Sequence, residues 1–377
     1  MNFKQKFFNT NLIYFIALVL FVVVRIVFSC IDFTSFMSES LVDVISTIVI
    51  QVGLMFLLPI LMFSKLQKQK VKKTFVDFKY NTISPLGIVC AILIGACCFV
   101  LNMAIASFFN GIIGFFGYEQ GAGASSSTTD YSLGQFFLSM LTVAVLPAIC
   151  EENAHRGLLL HGYSQLGIKR AVIFSSLMFG LMHLNINQFF YATVLGFLIA
   201  LSVLMSKSII PAMIIHFMNN GLSTYLSFAE HNGWFGGNFY NFIQGITQSG
   251  NVISSFIFSF LLLIVLIFSL VGLYIVLLKE TRVKEMKKLF KQVAKINQEN
   301  GAENPQMFAG DGYLQNLAML NSMLRDYNVK NVGMETNVFS TAESKFHKPT
   351  FLDNVFFYGA IVLGGLVTVS TFIWGIL

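Results

Sequence analysis

The sequence predicts an all-α fold, a polytopic membrane bundle of about nine transmembrane helices. Three observations predict it. Of 377 residues, 55% are hydrophobic and 11% charged, whereas a soluble domain carries about 25% charged residues. Mean hydropathy is +0.72. Apolar runs of the length that crosses a bilayer, about 20 residues, recur along the whole chain.

The segments fall near 11–30, 41–63, 86–117, 134–160, 171–186, 188–205, 209–228, 252–278 and 354–376. The first carries Arg25 and lacks a small-residue cleavage site, so it reads as a retained helix and not as a signal peptide. The third is too long for one straight span. Asn110-Gly111 and Gly114 predict that it ends early or breaks there. Lysine and arginine set the orientation, because cytoplasmic loops collect them. Loop 64–80 holds Lys65, Lys68, Lys70, Lys72, Lys73 and Lys79, and the stretch after the eighth segment holds Lys279, Arg282, Lys284, Lys287, Lys288, Lys291 and Lys295. Both are cytoplasmic if the amino terminus is. Residues 118–133 and 229–251, and the carboxyl terminus, then face outside.

Five regions follow: N-terminal helices with the basic loop (1–133), a core (134–228), an outer loop and further helix (229–278), a polar cytoplasmic segment (279–350) and a C-terminal helix (351–377). In the polar segment, Val283–Ile296 spaces apolar residues as a helix does, with lysines between, which suits a surface of anionic lipid. A cytoplasmic partner would bind within 279–350. The net charge of +6 reflects these membrane-flanking lysines, so no nucleic-acid partner is expected. Cys30, Cys90, Cys97, Cys98 and Cys150 lie in or beside apolar stretches without paired spacing and read as small packing residues.

Three motifs lie inside apolar segments: Glu151-Glu152-Asn153-Ala154-His155-Arg156, then Phe179-Gly180-Leu181-Met182-His183, then His216-Phe217-Met218-Asn219-Asn220. Charge at mid-bilayer costs roughly 2.5–3.5 kcal/mol on insertion scales. All other acidic residues lie in loops, tails or near segment ends. On a helix, residues four apart share a face, so Glu152 meets Arg156 and Glu151 lies about 100° round, free to act elsewhere. One intramembrane histidine is ordinarily a helix–helix hydrogen bonder. Glu151, His183, His216 and Asn220 together are different, because Glu and His activate water while His and Asn donate to an oxyanion. Pro147, one turn before Glu151, opens the backbone there.

The order E-E-x-x-x-R, F-x-x-x-H, H-x-x-x-N resembles the CAAX-protease and bacteriocin-processing (CPBP, or Abi) family of intramembrane proteases, which includes the type II CAAX prenyl endopeptidases. The residues that carry the likeness are Glu151, Glu152, Arg156, Phe179, His183, His216 and Asn220, over roughly 130–228. Gly157, Gly180 and Pro211-Ala212 also look like the family. The resemblance implies an eight-helix-type core around a water-filled cavity. It implies Glu151 as general base, His183 positioning water, and His216 with Asn220 stabilising the oxyanion. Glu152, Arg156 and Phe179 support them. No cofactor is expected. If the reaction is metal-dependent, zinc would sit on Glu151, His183 and His216, but no H-E-x-x-H occurs and Asn220 is an unusual zinc ligand.

Two departures from the family stand out. His155 replaces a hydrophobic position on the face of Glu151, where it could bond that residue, perturb it or add a metal ligand. The chain also runs on through the polar segment and a ninth helix. The expected function is a cell-membrane, multi-pass endopeptidase acting on membrane-bound peptides or proteins. The alternatives are a non-catalytic scaffold or immunity-type protein that keeps the fold, and a transporter using the same groups as a proton relay. The halves show no inverted repeat to favour transport.

Overall fold

The computed structural model describes residues 3–114, 116–118, 130–238, 264–285 and 351–374, and every secondary-structure element among them is helical. The main helices are α1 (Phe3–Cys30), α2 (Glu39–Leu66), α3 (Val71–Asp77), α4 (Pro85–Gly114) and α5 (Leu133–Tyr163). They continue with α6 (Ile168–Met182), α7 (Ile186–Ser206), α8 (Ile210–Asn232), α9 (Ile264–Glu285) and α10 (Phe351–Trp374). The chain divides into two units, Met1–Glu280 with Lys345–Leu377, and Thr281–Ser344. The second lies almost wholly outside the described residues. So do the helical expectations for 286–296 and 313–326, the outer stretch 119–129, and most of the outer loop 239–251.

Seven of these helices are long and apolar enough to cross a membrane. Two of the nine expected segments are not among the seven, although both are helices. The α6 helix has 15 residues, about 22 Å at 1.5 Å per residue, short of the ~30 Å hydrocarbon core. The α8 helix is long enough, with 23 residues, but carries His216, Asn219, Asn220, Glu230 and His231. Each packs on a neighbour, α6 on α7 and α8 on α4, with His216 and Asn219 buried while Glu230 and His231 at the end of α8 stay exposed. The third segment does not break at Asn110-Gly111; it stays helical to Gly114.

Two long helices change pitch. In α2 the stretch Ile48–Leu57 is π-helical, and in α5 so are Met140–Val145 and Asn153–Leu160. Each of two prolines sits just past such a stretch. Pro59 removes the N–H that would reach Met55 O, and Pro147 removes the one that would reach Val143 O. A carbonyl left open in lipid must find another donor. Met55 O accepts Asn153 Nδ2 at 3.1 Å, and Val143 O accepts Asn220 Nδ2 at 3.0 Å.

Helix α6 reaches α7 through Gly180. A Cβ there would stand 2.8 Å from Phe189 O and would strike the Thr193 side chain. Backbone cannot yield as a flexible side chain does, so Gly180→Ala is expected to cost about 1–3 kcal/mol, the usual range for overpacking. Thermal unfolding in detergent should show a lowered midpoint for Gly180→Ala. Gly365→Ala in α10, where nothing lies within 4 Å, should match the parent. An unchanged midpoint for Gly180→Ala would remove the close α6–α7 approach.

Candidate active site

The polar groups of α5, α6 and α8 meet in the interior. Glu152 is fully buried, and its Oε1 accepts from Arg156 Nη1 at 2.9 Å and from His216 Nδ1 at 2.8 Å. Arg156, 1% exposed, also donates from Nη2 to Gly196 O at 3.0 Å on α7 and lies over the Phe179 ring, 4.4 Å from its centre. A guanidinium on an aromatic face in a dry site gains a further attraction. The Phe179 ring also meets three imidazoles nearly edge-to-face, at 5.0 Å from His155, 5.1 Å from His183 and 5.6 Å from His216.

Hydrogen-bond direction assigns the tautomers. Glu152 Oε1 already binds Arg156, and a carboxylate only accepts, so His216 carries its proton on Nδ1. Its Nε2 then accepts from Asn220 Nδ2 at 3.2 Å. Asn220 Oδ1 accepts from Asn219 Nδ2 at 2.9 Å, and Asn219 Oδ1 from Asn102 Nδ2 at 2.7 Å. One polarised chain thus runs from Asn102 on α4 through α8 to Glu152 on α5. His183 donates Nδ1–H to Phe179 O at 2.8 Å, which leaves the Nε2 lone pair forward.

Glu151 is placed differently from its neighbour. Gln51 of α2 donates from Nε2 to Glu151 Oε1 at 2.8 Å. The other oxygen, Oε2, has no partner among the described residues and is not sealed in. Glu151 lies within electrostatic reach of His183. His155 does not bond the Glu151 carboxylate. Its Nδ1–H donates to the Glu151 backbone carbonyl at 2.7 Å, and its Nε2 lies 3.1 Å from Tyr14 Oη. The Tyr14 hydroxyl is also 2.9 Å from Met178 O, so its single proton is shared between the two acceptors. His155 fastens α1 to α5 and has no nitrogen left for a metal.

Among the described residues no group of three His, Cys, Asp or Glu side chains is spaced to hold a metal ion. The trio Glu151, His183 and His216 does not fit one as arranged, because both ring nitrogens of His216 are committed, to Glu152 and to Asn220. Cys150 is buried and free, beside Glu151 in sequence.

All eight residues singled out in sequence thus lie in one cluster. Sequence reasoning did not single out Gln51, Asn102, Asn219, Asn153 or Tyr14. For Gln51 and Asn102 a signal existed, a polar side chain inside an apolar run. For Asn153 and Asn219 it was position within the motifs themselves.

The site predicts two different outcomes for two adjacent carboxylates. Glu152→Gln leaves the buried Arg156 without its counter-charge, and losing one partner of a buried pair costs about 3–5 kcal/mol. Glu151→Gln removes no ion-pair partner. Thermal unfolding in detergent should therefore show a large destabilisation for Glu152→Gln and little change for Glu151→Gln. Equal effects would contradict this division.

A family model described as Rce1-like, type II CAAX prenyl endopeptidase, matches residues 133–222. Comparison with curated proteins and with solved structures finds no match. The matched segment contains all three motifs and bears out the resemblance to the CAAX-protease family. Together with the seven apolar helices it supports a multi-pass membrane protein of membrane-protease (hydrolase) type.

Proposed function

We propose, from a chain whose residues 133–222 match the Rce1-like, type II CAAX prenyl endopeptidase family model, that it is an intramembrane endopeptidase that cleaves membrane-associated peptides or proteins with a glutamate-activated water. The observation that carries this is the state of Glu151. It is a carboxylate 7% exposed within apolar helices, with one oxygen held by Gln51 and the other open. The structural carboxylate of this site, Glu152, is instead fully buried against the charged Arg156 and His216, whereas Glu151 meets only a neutral amide.

In this mechanism Glu151 Oε2 takes a proton from water as the oxygen attacks the scissile carbonyl. His183 Nε2, fixed as an acceptor, orients the second water proton. The developing oxyanion is met by Asn220, which turns one N–H from His216 Nε2 while the other stays on Val143 O. His216 keeps its proton on Nδ1, held by Glu152 Oε1, and through Nε2 it holds the Asn220 amide in place until the oxyanion forms. The proton on Glu151 then passes to the leaving amine. No step uses a metal.

Purified protein in liposomes should hydrolyse a lipid-anchored fluorogenic peptide, and a panel of prenylated CAAX-type and non-prenylated amphipathic peptides would define the substrate class. Glu151→Gln should lower turnover at least ~10²-fold, the usual scale for acid–base groups, with folding intact. Asn220→Ala should lower kcat about 10²–10³-fold, as loss of an oxyanion donor does, with a smaller effect on KM. Normal turnover by Glu151→Gln would refute the mechanism. Loss of activity on chelation, with recovery on adding zinc and one zinc bound per chain, would replace it with a metal-dependent one.

A further inference from the structure

We propose that Gln51 is a positioning residue that holds the Glu151 carboxylate in its working orientation. The inference rests on Glu151 being the general base. Gln51 lies 100 residues from Glu151 in sequence, in α2, outside every motif and outside the matched segment 133–222.

The geometry admits one arrangement of this amide. The Glu151 carboxylate can only accept, so Gln51 must present nitrogen to it, as the 2.8 Å Nε2–Oε1 bond shows. The Gln51 carbonyl oxygen is thereby turned away, and it is buried without a partner. An orphaned acceptor inside an apolar helix is disfavoured, and a methionine would fill the same space without one. Packing alone therefore gives no reason for glutamine here. The bond to Glu151 does.

The backbone around Gln51 is fixed for the same contact. Gln51 sits in the π-helical stretch Ile48–Leu57, and such turns re-aim side chains relative to an α-helix and recur at functional sites. The stretch is pinned to α5 a second time, one turn on. Asn153 Nδ2 donates to Met55 O at 3.1 Å and to Phe56 O at 3.2 Å, while Tyr80 holds Asn153 Oδ1 at 2.9 Å. Both bonds from Asn153 Nδ2 fix α2 against the turn that carries Glu151. The bond to Oε1 restrains rotation of the carboxylate and leaves Oε2 for the water it deprotonates.

The test uses the full chain in liposomes with a lipid-anchored fluorogenic peptide. Gln51→Met keeps volume and removes the N–H. It should lower kcat ~10–100-fold, the scale of a small misplacement of a reacting group, with KM within about twofold and an unchanged unfolding midpoint. Gln51→Glu, which keeps the shape and replaces the donor by an oxygen, should lose kcat to a similar extent; this variant decides the matter if the methionine variant fails to fold. The discriminating measurement is the residual turnover of Glu151→Gln, followed by mass spectrometry over long incubation. Gln51→Met added to Glu151→Gln should cause no further loss, because it acts only through the carboxylate. Parental kcat in either Gln51 variant, or full additivity in the double variant, would overturn the proposal while leaving the general-base reading in place. Full activity of Glu151→Gln alone would overturn both.

Discussion

The site depends on one oxygen atom, Glu152 Oε1. It is sealed from solvent and accepts from both Arg156 and His216. Moving an isolated carboxylate into a low-dielectric interior carries an idealised cost of order 20 kcal/mol, offset only by close partners with good geometry. The partners come from different places. Arg156 lies one turn further along α5 and reaches on to Gly196 O of α7, under the ring of Phe179 from α6. His216 comes from α8. Four helices are therefore held in one register by a charge that none of them could carry alone. The arrangement is not complete: Glu152 Oε2 and Arg156 Nε are buried without partners, so the strength of this node lies in its few bonds being charge-assisted.

From that node outward, order is transmitted by hydrogen-bond direction. The carboxylate fixes the His216 tautomer, the tautomer makes Nε2 an acceptor, and the Asn220 amide must then turn its nitrogen inward. Pro147 secures the same amide from the other side by opening Val143 O. The pairing of Pro59 with Asn153 through Met55 O repeats this device on the α2 side. In both cases a proline costs the helix a bond and an asparagine from a neighbouring helix replaces it. Interhelical bonds in membranes are worth only about 0.6–2 kcal/mol each. What these contribute is placement, since each lies within one turn of a Glu152 or Glu151 contact.

The fold was largely legible because lipid imposes a length and a composition that the eye can count. Length and composition alone are less decisive where protein, not lipid, is the solvent. Helix α6 has only 15 residues and α8 carries several polar ones, and both pack against neighbouring helices. The motif residues were legible for the same reason that intramembrane charge is costly, so each had to have a cause. Gln51, Asn102 and Tyr14 were not singled out, because a single amide or phenol in an apolar helix is a weak signal that an ordinary helix–helix hydrogen bond explains. Their partners also lie 100 to 141 positions away in sequence, beyond any periodicity. His155 shows the limit most sharply. Spacing placed it correctly on the face of Glu151, but the ring bonds the backbone carbonyl of Glu151 and the hydroxyl of Tyr14, neither of which side-chain spacing can anticipate.

Adjacent glutamates on one helix invite the question of why both are present. Their neighbours answer it. Glu152 faces α8 and is enclosed by two donors on one oxygen. Glu151, about 100° round the helix, faces α2 and is met by a single neutral amide. A neutral donor orients a carboxylate without cancelling its charge, whereas Arg156 cancels that of Glu152. Counted together, Glu151, Glu152 and Arg156 carry one negative charge in excess of positive. On the proposed mechanism the proton abstracted from water moves that negative charge to the oxyanion, so the step that generates the oxyanion also neutralises the carboxylate beside it. Were Glu151 paired with a second arginine, the ion pair would favour the charged carboxylate and weaken it as a base. On that reading an amide-held glutamate suits a buried base, and it stays outside the ion pair because the neighbouring glutamate has taken the arginine.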